Sequence, residues 1–340
     1  MKRPRIIILL SILISLVAHS NEIRGESLIN KSAPCFKGVF ADHESWKEQL
    51  MKGREGEDRA KREAAFDAAF PKSTFEYYRD NLDCKTIIYK VDGFDINGYY
   101  MFSKTGQEKK PVLIVNRGGN GFFGSWNFGS VMMLLMPFAD AGYAVIASNY
   151  RGNLRGEMNL KFNKGVDEFG GSDIRDVLSL ISIIDEMPNT NKQDISMLGI
   201  SRGGMQSLVA ASQTERVKAV VTLAGISDLW LMEERDDNFA TMLKKRIQYT
   251  DETKDNEFHK RSPARWYGEV GHAPPVLIIH GDKDERVDIR NAYRLAEQLK
   301  KSDVPYEFMI IDGAKHNLPS YWPSLLPKID EYLKAISFSE

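Results

Sequence analysis

The chain has 340 residues, 42% of them hydrophobic and 27% charged, a globular composition with ample material for a buried core. Its 46 basic and 47 acidic residues nearly cancel, and no basic stripe marks a nucleic-acid surface. This length fits one large α/β domain or two small ones.

The N-terminus departs from that average. Lys2, Arg3 and Arg5 precede an apolar run over residues 6–18, and Ala18-His19-Ser20 places small residues at −3 and −1 of a cleavage site. This pattern predicts a signal peptide over residues 1–20 and a mature protein that is periplasmic or secreted, with no membrane contact after removal. An uncleaved anchor is the alternative, but the run is shorter than the ~20 apolar residues that span a bilayer.

The only cysteines are Cys35 and Cys84. In an oxidising compartment they can pair, closing a loop worth about 4 kcal/mol on the chain-entropy view; two buried thiols are the alternative. Neither has a histidine or second ligand nearby in sequence, so a nucleophilic or metal-binding role is not expected.

Residues 21–82 read as a charged helical extension, with helical spacing at 42–52, 57–70 and 73–81 and breaks at Gly53 and Pro71. The period then changes. Residues 86–91 and 96–102 are β-rich runs around Asp92-Gly93, the signature of a hairpin. A catalytic domain is expected over residues 83–340. Its strands fall at 111–116, 144–149, 195–199, 219–223, 275–279 and 306–311. Helices fall at about 125–141, 172–186, 203–214, 228–248, 289–301 and 321–336. Short, nearly continuous apolar strands alternating with helices predict a mostly parallel, doubly wound α/β sheet covered on both faces. Residues 228–272, with Trp230, Leu231, Met232, Phe239 and Met242 among many charges, form a possible lid or insertion.

Gly199-Ile200-Ser201-Arg202-Gly203 sits where strand 195–199 meets a helix. Such a turn is so sharp that flanking side chains would clash, and it lifts the serine oxygen above the strand ends. The Arg202 N–H then points toward a developing oxyanion. A nucleophilic serine needs a base, and the base needs an orienter. His316 follows the last strand, and Asp284 follows the strand ending His280-Gly281. Both lie at C-terminal strand ends, where sites in open α/β sheets collect. Asp282 and Asp288 lie close to Asp284 and are competing candidates, with capping of the next helix as their alternative role. The order Ser, Asp, His is that of α/β-hydrolases.

His280-Gly281-x-x-Asp284-x-x-Val287 and Gly313-x-x-His316 resemble the prolyl oligopeptidase family of α/β-hydrolases. Ser262-Pro263, Tyr150-Arg151-Gly152 and Gly170-Gly171-x-Asp173 with Asp176 extend the resemblance over about residues 84–337. It implies an α/β-hydrolase fold with Asp284 as the triad acid and His280 as a strand-end structural residue. Asp173 and Asp176 are expected to favour a helix N-terminus capped by Ser172, and Arg151 to be a buried ion-pair partner.

The second oxyanion donor is expected from the loop Asn116-Arg117-Gly118-Gly119-Asn120-Gly121, through the Gly118 N–H. Where the family resembled carries tyrosine before the small residues, this chain has Arg117. Arg117 is therefore read as either a substrate-carboxylate ligand or a structural salt bridge, with Asn120 as a further substrate contact. About 60 residues between the predicted cleavage site and the hydrolase domain leave no room for a β-propeller at ~40–45 residues per blade.

A carboxylic-ester hydrolase is the leading expectation, followed by a small exopeptidase or amidase, then a silent binding protein on a hydrolase fold. The substrate would be a small ester or short peptide. No metal or organic cofactor is implied, because no His, Asp or Glu pair has ligand spacing in a plausible site.

Overall fold

The structure is a computed structural model describing residues 27–106, 109–153 and 164–337. The predicted signal segment lies outside the described residues. Among those residues, no helix is long and apolar enough to cross a membrane, and there is no propeller.

Nine strands form one sheet in the order β1-β2-β3-β5-β4-β6-β7-β8-β9. The strands are β1 (Ile29–Pro34), β2 (Leu82–Val91), β3 (Phe94–Ser103), β4 (Lys110–Asn116), β5 (Ala144–Ser148), β6 (Thr190–Ile200), β7 (Val217–Leu223), β8 (Val276–Gly281) and β9 (Tyr306–Ile311). Pairings from β1 to β3 and from β3 to β5 are antiparallel; the rest are parallel. The hairpin turns at Asp92 and Gly93, both with positive φ, the conformation Asp-Gly is suited to supply. The mostly parallel α/β sheet expected from the strand-helix alternation is present, as is the α/β-hydrolase fold that the family resemblance implied.

Alternation along the central strands sends side chains into two separate cores. On β4, Val112 and Ile114 join one cluster, while Leu113 and Val115 join the other. The first is covered by α6 (Ile174–Glu186), α7 (Arg202–Ala211) and α11 (Arg290–Lys301). The second is covered by α1 (His43–Met51), α2 (Gly56–Ala69), α3 (Lys72–Asn81), α4 (Phe128–Leu134), α5 (Met136–Asp140) and α12 (Trp322–Ser337). Burial of this kind, at roughly 25 cal/mol per Å² of apolar surface, is the main stabilising term.

Three local readings change. Residues Ile29–Pro34 are an edge strand rather than part of a helical extension, and the extension shares the sheet and the second core. The helix expected at 125–141 is two, because Pro137 cannot donate into a continuing ladder and starts α5 instead. The helix at 228–248 is also two, α8 (Leu229–Arg235) and α9 (Asp237–Ile247). Asp236 is extended between them, and its carboxylate caps the Asn238 N–H. A further helix, α10 (Lys254–Lys260), completes the insertion.

A Cys35–Cys84 disulfide ties the N-terminal segment to β2. Next to it, Phe36 packs edge-on against Phe75 and Phe128, and Phe40 stacks on Phe128 at 4.5 Å. The covalent link therefore bears directly on the helix that follows the 116–121 loop.

Candidate active site

Ser201 sits at the junction of β6 and α7 with φ 56° and ψ −121°, a strained conformation for a residue with a side chain. It is held by three backbone bonds: Ser201 N–H to Leu223 O, and Gly204 N–H and Ile226 N–H to Ser201 O. The flanking glycines are obligatory. A Cβ at Gly199 would lie 2.1 Å from Gly203 O, and one at Gly203 would lie 2.1 Å from Asn116 O. As the first residue of α7, Arg202 has no intrahelical acceptor for its N–H. Across from it, a side chain at Gly118 would begin 3.1 Å from Ser201 Cβ and 3.7 Å from Oγ. The Gly118 backbone is thus set against the serine oxygen.

His316 and Asp284 meet as the sequence order predicts. His316 Nδ1 donates to Asp284 Oδ2 at 2.7 Å, leaving Nε2 as the ring atom free to accept a proton. The Asp284 side chain is fully buried. Its Oδ1 accepts from Arg286 N–H and Val287 N–H, and His280 Nε2 approaches Oδ2 at 3.3 Å while donating to Val287 O. Burial alone would raise this carboxyl, but the His280, His316 and Val287 donors outweigh it and hold it well below the usual carboxylate range. The competitors serve elsewhere. Asp282 accepts from Gly313 N–H, and Asp288 accepts from the N–H of Arg290, the first residue of α11.

Ser201 and His316 line one cavity of about 830 Å³ with Gly118, Gly119 and Asn120. Phe169, Ile226, Met232, Phe239, Met242 and Val287 give it apolar lining, beside the charged Arg235, Asp236, Glu285 and Arg286. The insertion thus supplies part of the cavity wall through α8 and α9. Among the described residues, no group of His, Cys, Asp and Glu could hold a metal ion.

The two readings of Arg117 are both replaced. Its side chain is 1% exposed, and among the described residues no carboxylate pairs with it. It donates instead to the carbonyls of Gly118, Gly121, Phe123 and Asn149, and stacks on Tyr150. Desolvation, with the nearby Arg202 charge, lowers its pKa to about 10. A side chain so engaged shapes the loop and has no donor left for a substrate carboxylate. Asn120 lines the cavity, but its Oδ1 accepts from Arg246 of α9, latching the insertion to the loop.

Asp173 is correctly structural, but it does more than bias a helix. It accepts from Gly170 N–H, Gly171 N–H, Arg202 and Gln206. Ser172 does not cap; its N–H donates to Glu168, and Asp173 holds the cap position. Arg151 and Asp176 form the expected buried pair at 2.7 Å. Sequence reasoning missed Asp167, which is buried and paired with Arg202. Its only signal was its place two residues before Phe169-Gly170-Gly171.

The profile of the prolyl oligopeptidase family matches residues 126–336, more than half of the chain. The uncharacterized peptidase YtmA of Bacillus subtilis is 32% identical over 54% of this chain and 69% of its own length. The acylamino-acid-releasing enzyme of Arabidopsis thaliana is 27% identical over 65% of this chain, but only 29% of that protein is covered. Among solved structures, the acylaminoacyl peptidase of Pyrococcus horikoshii superposes with a TM-score of 0.62 at 20% identity, over 75% of this chain and 42% of that one. A puromycin-hydrolyzing peptidase of Mycobacterium tuberculosis gives a TM-score of 0.58 at 21% identity, over 70% and 36%. These structural likenesses show the shared fold, and the chain spans less than half the length of those two proteins. On the family match and the relative in Bacillus subtilis, this chain belongs to the prolyl oligopeptidase family and is a serine hydrolase.

Proposed function

We propose that this chain is an exported serine exopeptidase or amidase acting on short substrates, with Ser201 as nucleophile, His316 as general base and Asp284 as its orienter. The observation that carries the reading is the strained Ser201 sharing one cavity with a His316 already hydrogen-bonded to a buried carboxylate. Ester hydrolysis, the leading expectation from sequence, moves to second place because the relative in Bacillus subtilis is named a peptidase and that in Arabidopsis thaliana an acylamino-acid-releasing enzyme.

In this reading Ser201 Oγ attacks the scissile carbonyl while His316 Nε2 takes its proton. The oxyanion that forms meets the Arg202 and Gly118 N–H groups. His316 then protonates the leaving amine, and water releases the acyl group by the same route. The wall of Phe169, Ile226, Met232, Phe239, Met242 and Val287 suits a large apolar side chain on the residue whose carbonyl is attacked. Export is supported by the basic and apolar pattern of residues 1–18 and by the disulfide, which belongs to oxidising compartments.

Parallel assays on phenylalanyl, leucyl and alanyl anilides, a short N-acyl peptide and a nitrophenyl ester test this reading. Turnover of the anilides or the peptide, fastest with Phe or Leu, supports it. Turnover of the ester alone returns the chain to ester hydrolysis.

A further inference from the structure

Among the groups outside the triad, one buried cluster touches both the serine turn and the loop facing it. The Arg202 guanidinium is 1% exposed and lies beneath the start of α7. Its Nη1 donates to Gly119 O at 3.1 Å and to Asp167 Oδ2 at 2.9 Å. Its Nη2 reaches Asp167 Oδ1 at 2.7 Å and Asp173 Oδ2 at 2.6 Å. Asp167 is equally buried, and its Oδ2 also accepts the Gly121 N–H. Arg202 further stacks on Phe169 at 4.6 Å, and both it and Arg117 lie against the Tyr150 ring.

We infer that the Asp167–Arg202 side-chain pair is a positioning device for the proposed oxyanion pocket, binding the 118–121 loop to the residue that follows the nucleophile. The inference rests on the proposed function, since it presumes that Ser201 forms a tetrahedral adduct.

The physical reason lies in where the pair attaches. Arg202 carries one oxyanion donor on its backbone, and its side chain grips the carbonyl of Gly119, the residue after the other donor, Gly118. Asp167 holds the N–H of Gly121 on the same loop. The spacing between the two donors is therefore set by this ion pair together with the packing of Gly203 against Asn116 and Arg117. Arg117, gathering the carbonyls of Gly118, Gly121 and Phe123, sets the loop's internal shape but does not reach α7. Among the described residues, the Asp167–Arg202 pair is what ties the 118–121 loop to a side chain of α7. Two groups that stabilise a charge appearing only in the tetrahedral state act on kcat and leave substrate binding nearly untouched.

The test compares wild type with Asp167→Asn and Arg202→Lys. Wild type is first checked for fluorophosphonate labelling and turnover; failure there sinks the proposed function and not this inference. Asp167→Asn keeps the shape and removes the charge. Arg202→Lys keeps the buried charge of Asp167 compensated but cannot grip Gly119 O and both carboxylates at once. In a folded variant, kcat is expected to fall on the order of 100-fold, as for loss of one oxyanion donor. KM should stay within about 3-fold, and affinity for a peptidyl boronic acid, which forms a tetrahedral adduct on Ser201, should fall in parallel with kcat/KM. An unchanged kcat in a folded variant overturns the inference. So does a lower kcat with unchanged boronate affinity, which places the defect elsewhere. If neither variant folds, the pair is a requirement of folding and the positioning assignment is overturned.

Discussion

His316 Nδ1 and Asp284 Oδ2 are 2.7 Å apart, and the same oxygen is approached at 3.3 Å by His280 Nε2. One buried acid thus collects two imidazoles and two backbone N–H groups. Replacing Asp284 by Asn removes the charge that fixes the His316 tautomer, and kcat is expected to fall by about 10⁴, the order seen when a Ser-His-Asp triad acid is so changed. Asp282→Asn and Asp288→Asn should change kcat by less than about 5-fold, since those carboxylates bind a turn amide and a helix start. Steady-state kinetics on the three variants checks the assignment.

The depressed Asp284 pKa has a consequence for stability. A carboxyl whose folded-state value lies below its unfolded value of about 3.9 contributes stability that is complete above that value. The contribution is lost as pH falls through the folded value. The urea midpoint of wild type should therefore exceed that of Asp284→Asn at pH 6, and the gap should narrow below about pH 4. A gap that does not change with pH would show that the carboxylate is not preferentially stabilised.

Arg117→Ala should impair acidic and neutral substrates equally, because its guanidinium serves backbone carbonyls. Leaving those buried acceptors unpaired should cost about 3 kcal/mol of stability. Selective loss on acidic substrates would restore the carboxylate reading.

Met242→Trp should narrow the apolar wall of the cavity. For a substrate with Phe at the attacked carbonyl, kcat/KM is expected to drop about 10-fold, with alanyl substrates changed less than about 2-fold. Equal losses on both would mean that α9 does not contact the acyl side chain.

Breaking the Cys35–Cys84 bond by Cys35→Ser with Cys84→Ser should lower stability by up to about 4 kcal/mol. The effect should exceed that of an ordinary surface change, because Phe36 and Phe40 pack on Phe128 beside it. Urea unfolding of the oxidised protein and the double variant decides it.

β2 to β9 were legible, and β4 to β8 most clearly, because their central residues are dense in Val, Ile and Leu and are buried. Ser201, Asp284 and His316 were legible because strand ends place them, and the hydrogen bond between the last two agrees with that reading. β1 was not, since Asn30, Lys31 and Ser32 are exposed and give no alternation; its pairing with β2 comes from tertiary context. The part played by Arg117 was hidden for a different reason. A cation solvated by carbonyls leaves no acidic partner in the sequence, so only the folded loop reveals it. Asp167 was equally hidden, because its partner Arg202 lies 35 residues away.

The disulfide also bears on how copies of this chain behave toward one another. β2 is ten residues long, and without β1 its outer backbone groups would be an open template for pairing with another molecule. β1 occupies that edge with Lys31 and Pro34, residues that discourage further strand addition, and the covalent link next to Pro34 prevents it from peeling away. Oxidation of two thiols therefore seals one flank of the sheet against self-assembly, and chains made under reducing conditions are expected to be the ones that aggregate.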